Sequence, residues 1–179
     1  SGIADTMLIL PEFEFYLFNQ VGWEVQPNSI FANVDADQAH WNSGVEGSGN
    51  VVAKQKNYHI AKPFDTSYEC RSEMCMLMEE MGIEINYHHP EVAASGQFEI
   101  EPQLGEVVHM ADAPMMIKFI IHHAAPKYGK SATFMPKPIY GEAGSGMHVH
   151  MILFKDGQPV FSDDNGYARL SKEAHWFMG

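Results

Sequence analysis

The stretch PEFEFYLF, residues 11–18, sets Glu12 and Glu14 two positions apart inside an apolar and aromatic run. Read as a strand, it places both carboxylates on one face and Phe13, Phe15 and Leu17 on the other. A half-exposed strand with a solvated charged face would show the same pattern, and so would a strand that buries charge for a purpose. The oddity recurs: Glu99 and Glu101, then His148 and His150, are further i, i+2 polar pairs in period-two stretches.

Residues 7–18 read as one strand, with WEVQP and SIFANVD as short strands or extended turns. NSGVEGSGN, residues 42–50, is rich in Gly, Ser and Asn without apolar periodicity, which predicts a loop whose ends Trp41 and Tyr58 anchor. FDTSYECRSEMCMLMEEMG has helical spacing through Met74, Leu77, Met78 and Met81. Asp65, Thr66 or Ser67 can cap it and Gly82 can stop it. Its methionines read as core filler rather than metal ligands. IEINYHHPEVAASGQFEIEPQ returns to period two, with Ile83, Ile85 and Tyr87 on one arm and Phe98 and Ile100 on the other, alternating with Gln97, Glu99 and Glu101; this predicts a hairpin.

A second helix is expected across MADAPMMIKFIIHHAAPKYG, with Ala113-Pro114 in its first turn, Gly129 at its end, and His122 and His123 as structural residues. SATFMPKPIY and GMHVHMILF read as strands around the turn GEAGSG, and an amphipathic helix begins near Ser171. The order strands, helix, hairpin, helix, strands contains no repeated crossover unit. It predicts an α+β fold: a mostly antiparallel β-sheet with helices packed on one side.

With 179 residues, 45% of them hydrophobic, the chain supports one substantial core and one domain. Its 11 basic and 23 acidic side chains give a formal charge of -12, which repels a phosphate backbone and argues against nucleic acid as the main partner. Cations are the more natural companions. Arg71 and Arg169 are the two arginines, so candidates for bidentate clamping of a carboxylate or phosphate are few. Cys70 and Cys75, without a second pair, are expected to be reduced core thiols. No run reaches the roughly 20 apolar residues that span a bilayer, and the N-terminus lacks a signal-peptide pattern, so a cytoplasmic location without a membrane partner is expected. Ser1-Gly2 reads as an expression remnant, and the chain stops inside the Ser171 helix as a piece of a longer polypeptide would.

Each polar pair can project from one face of a strand, and Glu91, with His88 and His89, falls on the turn facing Glu99 and Glu101. Carboxylates joined by one imidazole suit a hard divalent cation: oxygen ligands favour Mg²⁺ or Mn²⁺, and one nitrogen makes Mn²⁺ or Zn²⁺ competitive. A two-metal site needs about four to six such ligands around ions roughly 4 Å apart. Singly, each residue has a plainer explanation, a core histidine at His148 or a wet strand face at Glu99 and Glu101. Spacing alone does not decide between them.

PEFEFYLF, HHPEVAASGQFEIE and KSATFMPKPIYGEAGSGMHVHMILF, in that order, resemble the catalytic domain of bacterial-type glutamine synthetase. The resemblance is collinear from the first strand through YARLSKEAHWFMG. It implies an ATP-dependent ligation of ammonia to L-glutamate through γ-glutamyl phosphate, at a site with two divalent metals, Mg²⁺ or Mn²⁺. By matching position, Glu14, Glu91 and Glu99 are implied as ligands of the metal beside glutamate. Glu12 and His148 are implied for the metal facing the phosphates of ATP. Gly144, in GSGMH, is implied to approach the amino-acid substrate with its backbone, where a side chain would intrude. Asn86 and His150 are implied near the nucleotide. No covalent enzyme nucleophile follows.

Ala143 stands where the family commonly has asparagine, Ile152 where a serine often lies, and Asn86 where an acid is frequent. These departures leave open another amine acceptor, as in a polyamine-type γ-glutamyl amide synthetase, and a non-catalytic relative that keeps only the fold. The family also has a small N-terminal domain and a C-terminal part of the catalytic domain, which brings a further metal carboxylate and the phosphate-binding arginines. Residues 1–179 are therefore expected to be a partial catalytic domain, inactive alone, from a homo-oligomer with active sites between subunits.

Overall fold

In chain order the elements are β1 (Thr6–Pro11), β2 (Phe13–Phe18), β3 (Gln20–Gln26), β4 (Ser29–Asp35), α1 (Tyr68–Glu80), β5 (Ile85–Pro90), β6 (Gln97–Pro102), β7 (Gly105–Glu106), α2 (Val107–Ala124), β8 (Ser131–Thr133), β9 (Val149–Lys155), β10 (Gln158–Pro159) and α3 (Lys172–Met178). They come from a computed structural model that describes residues 2–47 and 49–179. Ser1 of the expected remnant and Ser48 of the 42–50 loop lie outside the described residues. The strands form sheets ordered β10-β9-β1-β7, β5-β6-β2-β8 and β3-β4, and every pairing among the described residues is antiparallel. The fold is α+β.

The alternation in PEFEFYLF is real, but the single strand over 7–18 is not. β1 and β2 belong to different sheets, with Glu12 at the crossing between them. Pro11 has no N–H to donate, and the ladder along β1 ends at its pairing with Val149. Beyond the break, Phe13, Phe15 and Leu17 of β2 and Phe98 and Ile100 of β6 share one buried cluster with the helices. Met74 and Met78 of α1 and Ile117 and Ile121 of α2 recur at helical spacing and complete that cluster. Burying these side chains contributes about 1.5–3 kcal/mol each. It also commits the opposite sheet face, bearing Glu14, Gln97, Glu99 and Glu101, to the functional side.

Cys70 and Cys75 are free and buried, and burial pushes the thiols up to about 11 and about 12. Arg71 is not available to a ligand. Fully buried, it grips both oxygens of Asp65 at 2.9 and 2.6 Å and lies over the Phe98 ring at 4.5 Å. Asp65 accepts from Ser67 N at 3.2 Å, while the Ser67 side chain makes no cap bond.

α2 begins earlier than the proline suggests. Glu106 caps it by accepting from Val108 N and His109 N, so Pro114 lies in its interior rather than its first turn. There Pro114 forfeits the bond to the Met110 carbonyl. Gly129, in left-handed conformation, ends the following 3-10 turn as the spacing predicts. The 131–140 strand contracts to β8, and β9 starts at Val149, so His148 precedes the strand. Ser171 caps α3. Among the described residues, no helix is long and apolar enough to cross a membrane.

Candidate metal and substrate site

Register alone brings the acids together. Glu14 on β2 lies opposite Glu99 on β6, and Glu99 lies opposite His89 on β5. Like charges directly opposite destabilise a sheet. β6 is buried along its whole length, so Glu99 and Glu101 are only 6% and 5% exposed. Glu91 sits just beyond β5, its Oε2 accepting from Val92 N at 2.9 Å. His89 then spans the group: its Nε2 is 3.5 Å from Glu99 and its Nδ1 3.8 Å from Glu91.

The break after Pro11 serves this site. Glu12 N donates to the His148 carbonyl at 2.8 Å and Glu14 N to the Gly146 carbonyl at 3.3 Å, so residues 146–148 run alongside the two glutamates. His148 Nε2 comes within 3.7 Å of Glu14 Oε1, and His150 Nε2 within 2.7 Å of Glu12 Oε1. Glu14 Oε2 accepts from Gly146 N at 3.1 Å and from Gln97 Nε2 at 2.9 Å. Gln97 also donates to the Gly144 carbonyl at 2.8 Å.

Two potential ligand groups result: His89, Glu91 and Glu99, and Glu12, Glu99 and Glu101, each with atoms within 4.8 Å of one another and both sharing Glu99. Among the described residues, the ion-pair partners of Glu12, Glu14, Glu91 and Glu99 are all histidines. Burial, then the hydrogen bond with Glu91 and the charges of Glu91, Glu12 and Glu14, push the Glu99 carboxyl up to about 8. Burial likewise raises Glu14. Acids crowded this way, with oxygen-rich donors and an imidazole, fit a hard divalent cation.

Of the residues the sequence singles out, Glu12, Glu14, Glu91 and Glu99 gather on this face. His148 stands beside Glu14, and His150 is the imidazole on Glu12. Asn86 turns its amide to Glu101 Oε1 at 2.9 Å. Gly144 has a packing reason to lack a side chain, since a Cβ there would lie 2.5 Å from the Pro136 carbonyl. Sequence reasoning passed over three residues. Glu101 was half of a flagged pair; it accepts from Asn86 and from the Tyr87 hydroxyl at 2.5 Å, a bond that pushes Tyr87 up to about 12. His89 was visible only as a neighbour of Glu91. Gln97, which ties Glu14 to the glycine-rich turn, carries no signal in the sequence.

A family model described as glutamine synthetase, catalytic domain, matches residues 1–179. Over its whole length the chain is 44% identical to 3-hydroxylaminophenol mutase of Cupriavidus pinatubonensis and 42% identical to glutamine synthetase of Vibrio cholerae. It spans 39% of each of those relatives. Among solved structures, the cryo-EM structure of Plasmodium falciparum glutamine synthetase superimposes with a TM-score of 0.88 at 29% identity, covering 99% of this chain and 36% of that one. Ligand-free GmaS superimposes with a TM-score of 0.70 at 25% identity, covering 97% of this chain and 36% of that one.

Proposed function

The chain belongs to the glutamine synthetase catalytic-domain family, and on that premise we propose that the full-length protein joins ammonia to L-glutamate at the expense of ATP, through γ-glutamyl phosphate. The observation that carries the reading is that Glu14, Glu91 and the buried Glu99 lie on one face and, among the described residues, have histidines and no lysine or arginine as ion-pair partners. A merely structural sheet gains nothing from burying such acids.

Glu14, Glu91 and Glu99 would hold one Mg²⁺ or Mn²⁺, and Glu12 with His148 would contribute to a second. When bound, such ions would offset the repulsion between two approaching anions and stabilise charge on a transferring phosphoryl group. The chain's own residues prepare the geometry. Gln97 and Gly146 N fix Glu14, while the Tyr16 hydroxyl and Gln97 fix the carbonyls of Ala143 and Gly144. His150, on Glu12, and Asn86, on Glu101, would face the nucleotide.

The amine is the variable part. Ala143 packs its methyl group against the apolar cluster of Tyr16, Phe18, Ala36, Ala39 and Ala93, so this position offers glutamate no polar side chain. That favours keeping a second amine acceptor in view. Assembly into a homo-oligomer is supported by the β3-β4 hairpin, whose one face joins Val21, Trp23 and Val25 to Val34, Ala32 and Ile30; Trp23 is 74% exposed. The buried reduced thiols agree with a cytoplasmic location.

The test supplies the full-length protein with ATP, Mg²⁺ and glutamate and varies the amine, following amide product and phosphate separately. Ammonium should give glutamine with matching phosphate. Preferential use of another amine would replace ammonia in the reading, and phosphate release that ignores glutamate would overturn it.

A further inference from the structure

Among the described residues, five buried side-chain polar atoms lack a hydrogen-bond partner; three belong to one contact, His40 Nδ1 and both carboxylate oxygens of Glu142. The Glu142 side chain is 1% exposed, and His40 Nδ1 lies 3.6 Å from its Oε1. A buried carboxylate without hydrogen bonds is costly unless an opposite charge stands close. Lys54 approaches neighbouring Gly141 but forms no ion pair with Glu142. The Tyr16 hydroxyl is committed to the Ala143 carbonyl. His40 is the side chain within reach that can carry the opposite charge.

The two residues come from distant parts of the chain that meet over the site. His40 opens a 3-10 turn, His40–Asn42, beyond β4, and Glu142 begins the glycine-rich turn whose next carbonyls are held by Tyr16 and Gln97. Ser145 N is held by the Pro136 carbonyl and Gly146 N by Glu14. The backbone of residues 143–146 is thus held by Tyr16, Gln97, Pro136 and Glu14, and Glu142 N donates to the Ile139 carbonyl at 3.4 Å, while among the described residues the Glu142 carboxylate faces His40 alone.

We propose that His40 is a positioning residue for the glycine-rich turn: its imidazolium supplies the counter-charge that keeps Glu142 buried and so fixes residues 141–146 beside the substrate. The catalytic meaning of the turn rests on the function proposed above; the coupling between the two residues does not. Removing His40 strands a buried charge, whereas removing the charge of Glu142 as well relieves it. The signature is therefore rescue, not additive damage.

The experiment compares the full-length protein with His40→Ala, His40→Lys, Glu142→Gln and the double variant His40→Ala/Glu142→Gln. Hydrogen exchange of peptides covering residues 141–147 is the readout independent of catalysis. His40→Ala should speed exchange there at least about tenfold, and the double variant and His40→Lys should bring it back toward the parent. In steady state, His40→Ala should raise KM for glutamate about tenfold while kcat changes less than about threefold, as expected for lost substrate positioning. Unchanged exchange in His40→Ala, or a double variant worse than both singles, overturns the pairing. Should His40→Ala fail to fold, a folded double variant still supports the stranded-charge account, and an unfolded one refutes it. Rescue of exchange in a protein that makes no γ-glutamyl amide would leave the pair standing and sink the functional reading instead.

Discussion

His88 takes a hydrogen bond from Arg71 Nε through its Nδ1, at 3.2 Å, and that guanidinium is itself locked to Asp65. Burial first, then the Arg71 charge, lowers His88 from its ordinary 6.5 to about 4. The folded chain therefore carries fewer protons on this ring than the unfolded one. The stability this provides is complete above pH 6.5 and is lost as pH falls toward 4. Thermal melts between pH 7 and pH 4.5 should show a declining midpoint, and His88→Gln, whose carbonyl can still accept from Arg71, should decline less steeply. Equal slopes would show that His88 is not the group responsible. At this scale the sequence reveals residue types but not company. Glu12, Glu14 and Glu99 were legible because acids interrupt apolar period-two runs, and Glu91 through its place on the turn facing Glu99 and through the family resemblance. Gln97 was not, because an amide on a strand face looks like any solvated residue until its two partners are known.

Elements were legible where periodicity was strong: α1, β2, β6 and the start of α3 follow their patterns, whereas β5, the other arm of the β5-β6 hairpin, begins only at Ile85 and shifts register before the exposed Tyr87. They were misread where one residue carried two meanings. Pro11 ends a strand that alternation alone would continue, and Pro114 reads as a helix start although Glu106 caps the helix two turns earlier. The hairpin itself depends on a contact no periodicity encodes. Gly96, at φ +96°, gives its carbonyl to Leu17 N at 2.9 Å, and a Cβ there would meet the Leu17 carbonyl at 2.5 Å. Left-handed backbone costs an L residue about 1–2 kcal/mol. Gly129, at φ +65° with open space around it, isolates that cost. In urea unfolding, Gly129→Ala should lose only about that amount, whereas Gly96→Ala should lose clearly more, because the clash with Leu17 is added to the backbone term. Equal losses would mean that the β2 contact adjusts freely.

At the scale of the whole molecule, a well-formed acidic face sits on a chain that spans 39% of the length of its curated relatives. Binding and catalysis should therefore separate. The proposed ligands Glu14, Glu91 and Glu99 all lie within residues 1–179, on β2, β6 and the β5-β6 turn, so residues 1–179 should bind Mn²⁺, with one site tighter than the other. Phosphoryl transfer demands more, namely positive charge preorganised around the moving phosphate. Arg71 is buried on Asp65, which leaves Arg169 as the remaining arginine. One residue does not make a phosphate clamp. Loss of several such positioning groups lowers rates by orders of magnitude, and an open site lets water meet an acyl phosphate before ammonia does. With ATP, Mg²⁺, glutamate and ammonium supplied, the chain should form glutamine at less than about a thousandth of the full-length rate, while calorimetry still registers Mn²⁺. Brisk glutamine formation by residues 1–179 would show that their active site is already whole. Failure to bind Mn²⁺ in a folded sample would remove the metal assignment from Glu14, Glu91 and Glu99.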